Sequence, residues 1–197
     1  MKTTILFVLA LACLCPSLRA QQTQPEEPRF TRDGQMQQPE NYREWIYLSS
    51  GLGMTYAPRS TAANAANASN ERFDNVFVTP QAYKAFLETG TWPDKTMFVL
   101  ELRSSAGNGS INKGGHYQDE IVGMEVHLKD ESRFPSTKWA FVEFGTSART
   151  AKPLPPDSNC QTCHSMNGAV DQTFVQFYPT LIPVAKAKGT FKASSEK

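Results

Sequence analysis

The chain has 197 residues, of which 40% are hydrophobic, and its 20 basic and 19 acidic residues give a formal net charge of +1. That length allows one domain with a substantial hydrophobic core. The balanced charge argues against a nucleic-acid partner, which usually needs a concentrated basic face, and supplies no polybasic patch for a membrane surface.

The first 20 residues have the pattern of a secretory signal peptide. Lys2 provides a positive start, an apolar run follows from Ile5 to Cys15, and Ala20 is a small residue suited to cleavage. The apolar run is too short to cross a bilayer as a helix. The alternatives are an uncleaved N-terminal anchor and a lipid attached at Cys13, whose preceding residues are poor for lipidation. We therefore predict export to the periplasm.

Cleavage after Ala20 would also change the charge and the cysteine count. It removes Lys2 and Arg19, which leaves 18 basic against 19 acidic residues. Of the four cysteines, only Cys160 and Cys163 remain. An exported domain held together by disulfides would normally carry more cysteines, spread along the chain. This clustered pair therefore needs another explanation.

The segment that follows the predicted signal is polar before it becomes apolar. Residues 21–38 are rich in Gln, Pro and charge, which predicts a disordered leader. The domain is expected to span residues 39–190, opening with a short helix at 39–45 and an extended segment at 46–56. Residues 57–70, rich in Ala, Asn and Ser, are typical of a flexible loop.

The central part of the chain alternates as strands do. Strands are predicted at residues 73–78, 96–104, 121–128 and 139–144. One helix is predicted at 81–89. Thr79 is its expected N-cap, Pro80 fits the first helical position, and Gly90 is the C-cap. A proline-rich connector at 152–157 and a helical tail at 172–186 complete the chain.

These elements predict an α+β fold. It should be a mainly antiparallel sheet with a few packed helices, and the segment that carries Cys160 and Cys163 and a helix at its C-terminus. In the strand at 96–104, Phe98, Leu100 and Leu102 share one face. Glu101 and Arg103 lie on the other face and are expected to form a surface ion pair.

The sequence Cys160-Gln161-Thr162-Cys163-His164 has the spacing that covalent haem attachment requires. Two thiols on one helical turn can each add to a haem vinyl group, while the adjacent imidazole reaches the iron from the same side. We therefore predict one covalently attached haem c, with His164 as the proximal iron ligand.

Three other kinds of site also use two nearby cysteines. A plain disulfide would leave the adjacent His164 unexplained. A thioredoxin-like dithiol would follow an early strand, whereas this pair lies near the C-terminus. A structural zinc needs four ligands, and only His116 and His127 remain among the other histidines. Haem attachment accounts best for the pattern.

The haem face opposite His164 decides the function. A Met or His ligand there makes an electron carrier, whereas an open site binds small molecules. Met166 follows His164 too closely to reach that face. The other candidates are more typical of packing or solvent-exposed residues: Met54, Met97, Met124, His116 and His127. We therefore expect five-coordinate iron.

Taken together, six stretches between residues 40 and 187 resemble the cytochrome P460 family, which includes the β-sheet cytochromes c′. They occur in the expected order: Asn41-Tyr42-Arg43-Glu44-Trp45, Phe98-Val99-Leu100-Glu101-Leu102, Asn112-Lys113-Gly114-Gly115-His116, Trp139-Ala140-Phe141, the haem motif and Phe174-Val175-Gln176-Phe177-Tyr178-Pro179. The resemblance implies a mainly antiparallel β domain, a homodimer and a His-ligated haem with an open distal face.

The resemblance also identifies one departure from the family's hydroxylamine-oxidising enzymes. Those enzymes carry a lysine bonded to the porphyrin, in a strand that reads Phe-Val-Lys-Glu-Leu. Leu100 occupies that position here, and an alkyl side chain cannot form the bond. Leu100 and Phe98 would instead form an apolar wall over the haem, which favours NO and CO. The aromatic candidates to complete this pocket are Trp139, Phe141, Phe144, Phe174 and Tyr178.

The first expectation is therefore a protein that binds NO or a similar small ligand at an open haem iron. The alternative is a P460-like oxidoreductase that acts on hydroxylamine or a related nitrogen compound. A simple electron-transfer cytochrome is the third interpretation, and the sequence does not indicate an electron-transfer partner.

Overall fold

A computed structural model describes residues 26–55 and 71–192. Within these ranges the strands are β1 Met36–Gln37, β2 Ile46–Leu52, β3 Arg72–Val78, β4 Met97–Ala106, β5 Tyr117–Lys129, β6 Trp139–Glu143 and β7 Thr150–Ala151. The α-helices are α1 Pro80–Thr89, α2 Asn159–Asn167 and α3 Ile182–Ala187, and 3-10 helices cover Tyr42–Glu44 and Val175–Phe177. The predicted signal peptide at 1–20 and the predicted loop at 57–70 lie outside the described residues.

Five strands form one antiparallel sheet in the order β2-β3-β4-β5-β6. Strands that follow one another along the chain are therefore also neighbours in space, as short connections favour. β1 and β7 form a separate two-stranded antiparallel pair. The mainly antiparallel sheet with its helices confirms the predicted α+β fold.

Each face of the five-stranded sheet has its own hydrophobic core. The helix-side core joins α1, α3 and the sheet, and it includes Val78, Ala82, Phe86, Trp92, Phe98 and Leu181. The N-terminal core covers the opposite face, and it includes Met36, Trp45, Met97, Val99, Val126 and Phe144. Because successive residues of a strand point to opposite faces, β4 contributes to both cores.

The helix α1 begins and ends where its flanking residues predict. Pro80 occupies the first turn, and Gly90 closes the helix with a φ of 75°, its N–H bonding to the carbonyl of Phe86 at 2.7 Å. Phe86 is fully buried, whereas its neighbour Leu87 is 41% exposed. Among the described residues, no helix combines the length and apolarity needed to span a bilayer.

The prediction that residues 21–38 are disordered is wrong for the part that leads into β1. Met36 pairs with Ala151 and Gln37 with Thr150, and Met36 is fully buried in the N-terminal core. A strand of two residues is too short to show alternation. The polar composition of the segment therefore gave no indication that Met36 is buried.

The predicted pair of Glu101 and Arg103 is present, but Glu101 is buried rather than on the surface. Its carboxylate is 1% exposed and accepts hydrogen bonds from Tyr42 Oη at 2.5 Å, from Arg103 Nε at 2.6 Å, from Asn75 Nδ2 at 3.2 Å and from Arg43. The sequence could place Glu101 on a face of the sheet, but it did not show that the 3-10 helix at Tyr42–Glu44 covers that face.

These contacts set the ionisation of the Glu101 carboxylate. Burial alone would raise its pKa, but the hydrogen bonds from Arg103, Tyr42 and Asn75 outweigh burial and hold the pKa below its ordinary value. Burial and the contact with Glu101 raise the pKa of Tyr42 to about 12. The group is therefore an ionised carboxylate that fixes the 3-10 helix to the sheet.

Candidate functional site

The motif that the sequence assigns to haem attachment lies on α2, directly after the proline-rich connector. Ser158 caps this helix, because its Oγ accepts a hydrogen bond from the backbone N–H of Gln161 at 3.4 Å. Cys160 and Cys163 are three residues apart, so their side chains lie on one side of the helix. Both are half-buried free thiols.

The imidazole of His164 is held by a backbone carbonyl. Its Nδ1 lies 2.9 Å from the carbonyl oxygen of Gln172. Because a carbonyl oxygen only accepts, Nδ1 carries the proton and Nε2 of the neutral ring keeps its lone pair. Burial lowers the pKa of His164 to about 4, although the bond to Gln172 acts in the opposite direction. The ring is therefore neutral near pH 7, with Nε2 available to a metal.

Three rings surround the His164 imidazole. The ring centres of Phe174, Phe141 and His127 lie 4.1, 4.6 and 4.7 Å from its own centre. Phe141 and Phe174 were both candidates to line the pocket. Phe144, a further candidate, lies in the N-terminal core on the opposite face of the sheet, so it cannot line the same pocket.

His127 is buried beside His164, at 8% exposure, and stacks on Phe141 with ring centres 4.1 Å apart. Its Nε2 has no hydrogen-bond partner within the described residues. Burial and the nearby His164 lower the pKa of His127 well below its ordinary value, so the ring is neutral.

The contact between His127 and His164 supports a packing role for His127. Two imidazoles bound to opposite sides of one iron would have ring centres about 6 Å apart, since each metal–nitrogen bond is about 2 Å long. The observed 4.7 Å is shorter, and the two rings meet edge to face. This geometry is that of neighbouring side chains rather than of ligands across a porphyrin.

The remaining candidates for a second axial ligand lie elsewhere. Met97 and Met124 are buried in the N-terminal core, on the face of the sheet opposite to His127. His116 is exposed, and Met54 is 43% exposed just after β2. The predictions of packing or solvent exposure are confirmed for these four side chains.

Beside the motif, four residues form a row across β3, β4, β5 and β6, which we name the open row. Val76 pairs with Leu100, Leu100 with Glu125, and Glu125 with Glu143. The first three are half-buried and Glu143 is exposed. Burial, and then the charges of Glu125 and Glu143, raise the pKa of the Cys160 thiol. The Glu125 and Glu143 end of the open row therefore faces Cys160 of the haem motif.

The two apolar residues that the sequence assigned to a haem wall, Leu100 and Phe98, differ in their packing. Leu100 lies in the open row and belongs to neither core. Phe98 is 3% exposed within the helix-side core, with its ring centre 4.7 Å from that of Trp92 and 6.4 Å from that of Tyr178. Leu100 has a side chain available to a cofactor, whereas Phe98 is engaged in core packing.

Glu125 is a site residue that the sequence analysis did not identify. Burial, with a further contribution from the charge of Glu143, raises its pKa. The sequence offers one indication of its place in the site. Glu125 lies two residues before His127, so the two side chains are on the same face of β5.

A second missed feature is the turn that presents the Gln172 carbonyl to His164. Asp171 and Gln172 have positive φ angles of 45° and 62°, which residues other than glycine rarely adopt. Lys129, 8% exposed, donates hydrogen bonds to Asp171 Oδ2 at 2.7 Å and to the carbonyl of Trp92 at 2.8 Å. Lys129 and Asp171 are 42 residues apart, so no local pattern signals their contact.

The side chains present fit a covalently bound haem. α2 offers two free thiols on one side, and His164 offers a nitrogen lone pair whose direction is fixed by the bond at Nδ1. The open row adds an alkyl side chain, Leu100, that packs in neither core.

One protein-family model, described as Cytochrome P460, matches residues 39–175. The match includes the whole five-stranded sheet and α2. No curated protein matches the chain.

Proposed function

The chain belongs to the cytochrome P460 family, and from this premise we propose that it is an exported c-type cytochrome with one haem that binds NO or a similar small ligand. Membership of the family makes it a haem-binding protein. The finer proposal is that Cys160 and Cys163 attach the haem covalently and that His164 binds the iron. One motif of this kind implies one haem.

The observation that carries the proposal is the position of Leu100 in the open row, paired with Glu125, whose charge acts on Cys160. Its half-buried side chain offers apolar surface to a cofactor and no hydrogen-bond donor. An apolar surface over the iron favours neutral diatomic ligands such as NO and CO, while bound O₂ gains from a donor. The packing of His127, Met97 and Met124 supports an iron with His164 as its one protein ligand.

The experiment is to record absorption spectra of the matured ferric and ferrous protein, with and without NO. We expect spectra of high-spin, five-coordinate haem that change on addition of NO or CO. A low-spin spectrum that neither ligand changes would contradict the proposal. His164→Ala should alter the spectra, whereas the matched variant His116→Ala, at an exposed histidine, should not.

Covalent attachment has its own measurement. The intact mass of the matured protein should exceed the mass of its amino acids by that of one haem, and the colour should survive denaturation. The double variant Cys160→Ala with Cys163→Ala should lose both properties. A wild-type protein with the mass of its polypeptide alone would contradict attachment.

Glu125 favours a second candidate, an oxidoreductase that acts on hydroxylamine or a related nitrogen compound. A carboxyl group with a raised pKa, such as that of Glu125 in the open row, can accept a proton from an N–H or O–H bond of a substrate. Leu100 weighs against this candidate, because it cannot form the porphyrin cross-link of the family's hydroxylamine-oxidising enzymes.

An assay with an artificial electron acceptor separates the two candidates. If hydroxylamine is the substrate, the wild-type protein reduces the acceptor and Glu125→Gln slows that reaction. Glu120→Gln, at an exposed residue of the same strand, serves as the matched control. No reduction of the acceptor by the wild-type protein would exclude the second candidate.

We also propose that the mature protein is periplasmic and forms a homodimer. The signal-peptide pattern of residues 1–20 supports the first point, and the mature chain should then begin at Gln21, which N-terminal sequencing of exported protein would establish. Sedimentation of the haem-loaded protein tests the second point, because a dimer has twice the mass of one mature chain.

A further inference from the structure

The carbonyl that bonds to His164 belongs to a turn whose conformation is unfavourable by itself. Asp171 and Gln172 adopt positive φ angles in succession, and such residues persist where the surrounding structure holds them. Asp is tolerated there better than Gln, because a short polar side chain bonds locally. Contacts from other elements must therefore hold this turn.

Asp171 is held from the sheet. Lys129, at the end of β5, donates to Asp171 Oδ2 at 2.7 Å, and Trp139, at the start of β6, donates from Nε1 to Asp171 Oδ1 at 3.4 Å. The same ammonium group lies 5.7 Å from the centre of the Trp139 ring and bonds to the carbonyl of Trp92 at 2.8 Å. Because Lys129 is 8% exposed, this ion pair is little screened by water.

Gln172 is held from two further sides. Its Oε1 accepts a hydrogen bond from Gln161 Nε2 of α2 at 2.6 Å, and its Nε2 donates to the carbonyl of Thr137 at 3.1 Å. Both residues of the turn are thus tied to neighbouring elements through their side chains. The backbone carbonyl of Gln172 remains for one partner, His164 Nδ1.

We propose that Lys129 and Asp171 are positioning residues that hold the Gln172 carbonyl against His164 and thereby set the strength of the iron–histidine bond. The inference rests on the proposed ligation of iron by His164. A hydrogen bond accepted from Nδ1 orients the ring and raises the basicity of Nε2, so it strengthens the bond that Nε2 makes to a metal. Lys129 and Asp171 exert this effect through the Gln172 backbone.

The test uses two variants and one control in the haem-loaded protein. Asp171→Asn removes the charge but keeps a residue that tolerates positive φ. Lys129→Met removes the ammonium group and keeps a long side chain. Lys95→Met is the control, because Lys95 pairs with a different aspartate, the buried Asp130, in an ion pair that does not include the turn.

The measurements are the iron–histidine stretching frequency of the ferrous protein, by resonance Raman, and the share of the NO complex that has lost His164, by electron paramagnetic resonance. We expect both turn variants to lower the frequency and to raise that share. The control should match the wild-type protein in both measurements.

The outcomes separate this inference from the proposed function. Suppose that the wild-type iron is five-coordinate and that the iron–histidine stretching frequency is the same in both turn variants as in the wild-type protein. This result overturns the inference and leaves the proposed function unaffected. A wild-type iron with two protein ligands overturns the proposed function. In that case the reduction potential of the haem tests the inference. A potential that shifts in both turn variants but not in the control supports it, and potentials equal to that of the wild-type protein overturn it. Loss of haem attachment in both turn variants but not in the control overturns it in favour of a folding role.

Discussion

At the scale of single residues, two neighbours on β4 serve different parts of the molecule. Leu100 lies in the open row and packs in neither core. Glu101, on the opposite face, is 1% exposed and fixes the 3-10 helix at Tyr42–Glu44 to the sheet. The alternation of side chains along a strand makes this division possible. Substitutions at the two positions should therefore have different consequences.

Leu100→Lys should change the cofactor rather than the fold. The variant places an amine in the open row, where an added peroxide, itself reduced to water, can take up the two electrons and two protons released when a porphyrin C–H and an amine N–H give way to one C–N bond. We expect a covalent lysine–haem bond, detected as a cross-linked peptide by mass spectrometry and as a shifted absorption spectrum in denaturant. Leu100→Met, which adds no amine, is the matched control. A cofactor identical in the two variants would contradict the placement of Leu100 next to the haem.

Glu101→Gln should lower the free energy of unfolding by about 3 kcal/mol, since removing one partner of a buried charged network leaves the others without compensation. Urea denaturation measures this difference. Glu88→Gln, at an exposed position of α1, should change the free energy by less than about 0.5 kcal/mol. Equal stabilities of the two variants would contradict a structural role for Glu101.

The same variant should alter the dependence of stability on pH. The pKa of Glu101 is lower in the folded protein than its ordinary value of 4.5. Its stabilisation is therefore fully present above that value and is lost as the pH falls through the folded pKa. Wild-type stability should decline over this acidic range more steeply than that of Glu101→Gln. Parallel curves in urea titrations at successive pH values would argue against the lowered pKa.

At the scale of the elements, alternation predicted the bounds of the strands well. The expected strand at residues 73–78 is β3 Arg72–Val78, and the expected strand at 96–104 is β4 Met97–Ala106. α1 was equally predictable, because Thr79, Pro80 and Gly90 mark its ends. These features depend on residues close together in the sequence.

Features that depend on distant residues were not predictable in the same way. The three proposed haem-attachment residues, Cys160, Cys163 and His164, follow from a spacing that is local in the sequence. The contacts of His164 with His127 and Phe141 join α2 to β5 and β6, and the pair of Lys129 and Asp171 spans 42 residues. A single sequence shows which face of a strand a residue occupies, but not which element covers that face.

The docking of α2 against the Asp171–Gln172 turn depends on Gly168. A Cβ at this position would lie 2.6 Å from the backbone carbon of Gln172 and 2.7 Å from the carbonyl oxygen of His164. Gly168→Ala should therefore force the turn away from α2 and lower the free energy of unfolding by about 1–3 kcal/mol. Chemical denaturation measures the loss.

Gly114→Ala is the control for that substitution. A Cβ added at Gly114 would have no neighbouring heavy atom within 4 Å, so the extra methyl group meets open space. We expect its stability to match that of the wild-type protein. A loss of equal size in both variants would show that the effect does not come from the crowding around Gly168.

At the scale of the whole molecule, the two cores on opposite faces of the sheet depend on segments from opposite ends of the described chain. The helix-side core takes α3 and the residues before it, including Val175 and Leu181. The N-terminal core takes Met36 and Trp45. Because both segments pack onto the same sheet, the part of the sheet between them is buried.

Met36→Ala tests the role of the N-terminal segment in this arrangement. Met36 is fully buried, so truncating it should leave a cavity and lower the free energy of unfolding by about 2–5 kcal/mol. Met54→Ala, at a side chain that is 43% exposed, is the control and should have a much smaller effect. A negligible change for Met36→Ala in urea denaturation would contradict a stabilising role for this segment.

The position of Leu100 has a consequence for how a protein of this architecture can diversify. A residue that neither core requires can be exchanged with little penalty for folding, while its neighbour Glu101 keeps the strand in place. Two successive residues of β4 thus have separate roles: Leu100 is available to the cofactor, and Glu101 stabilises the fold. On the proposed placement of Leu100 against the haem, a single substitution at position 100 is expected to redirect the chemistry of the cofactor without rebuilding the fold that holds it.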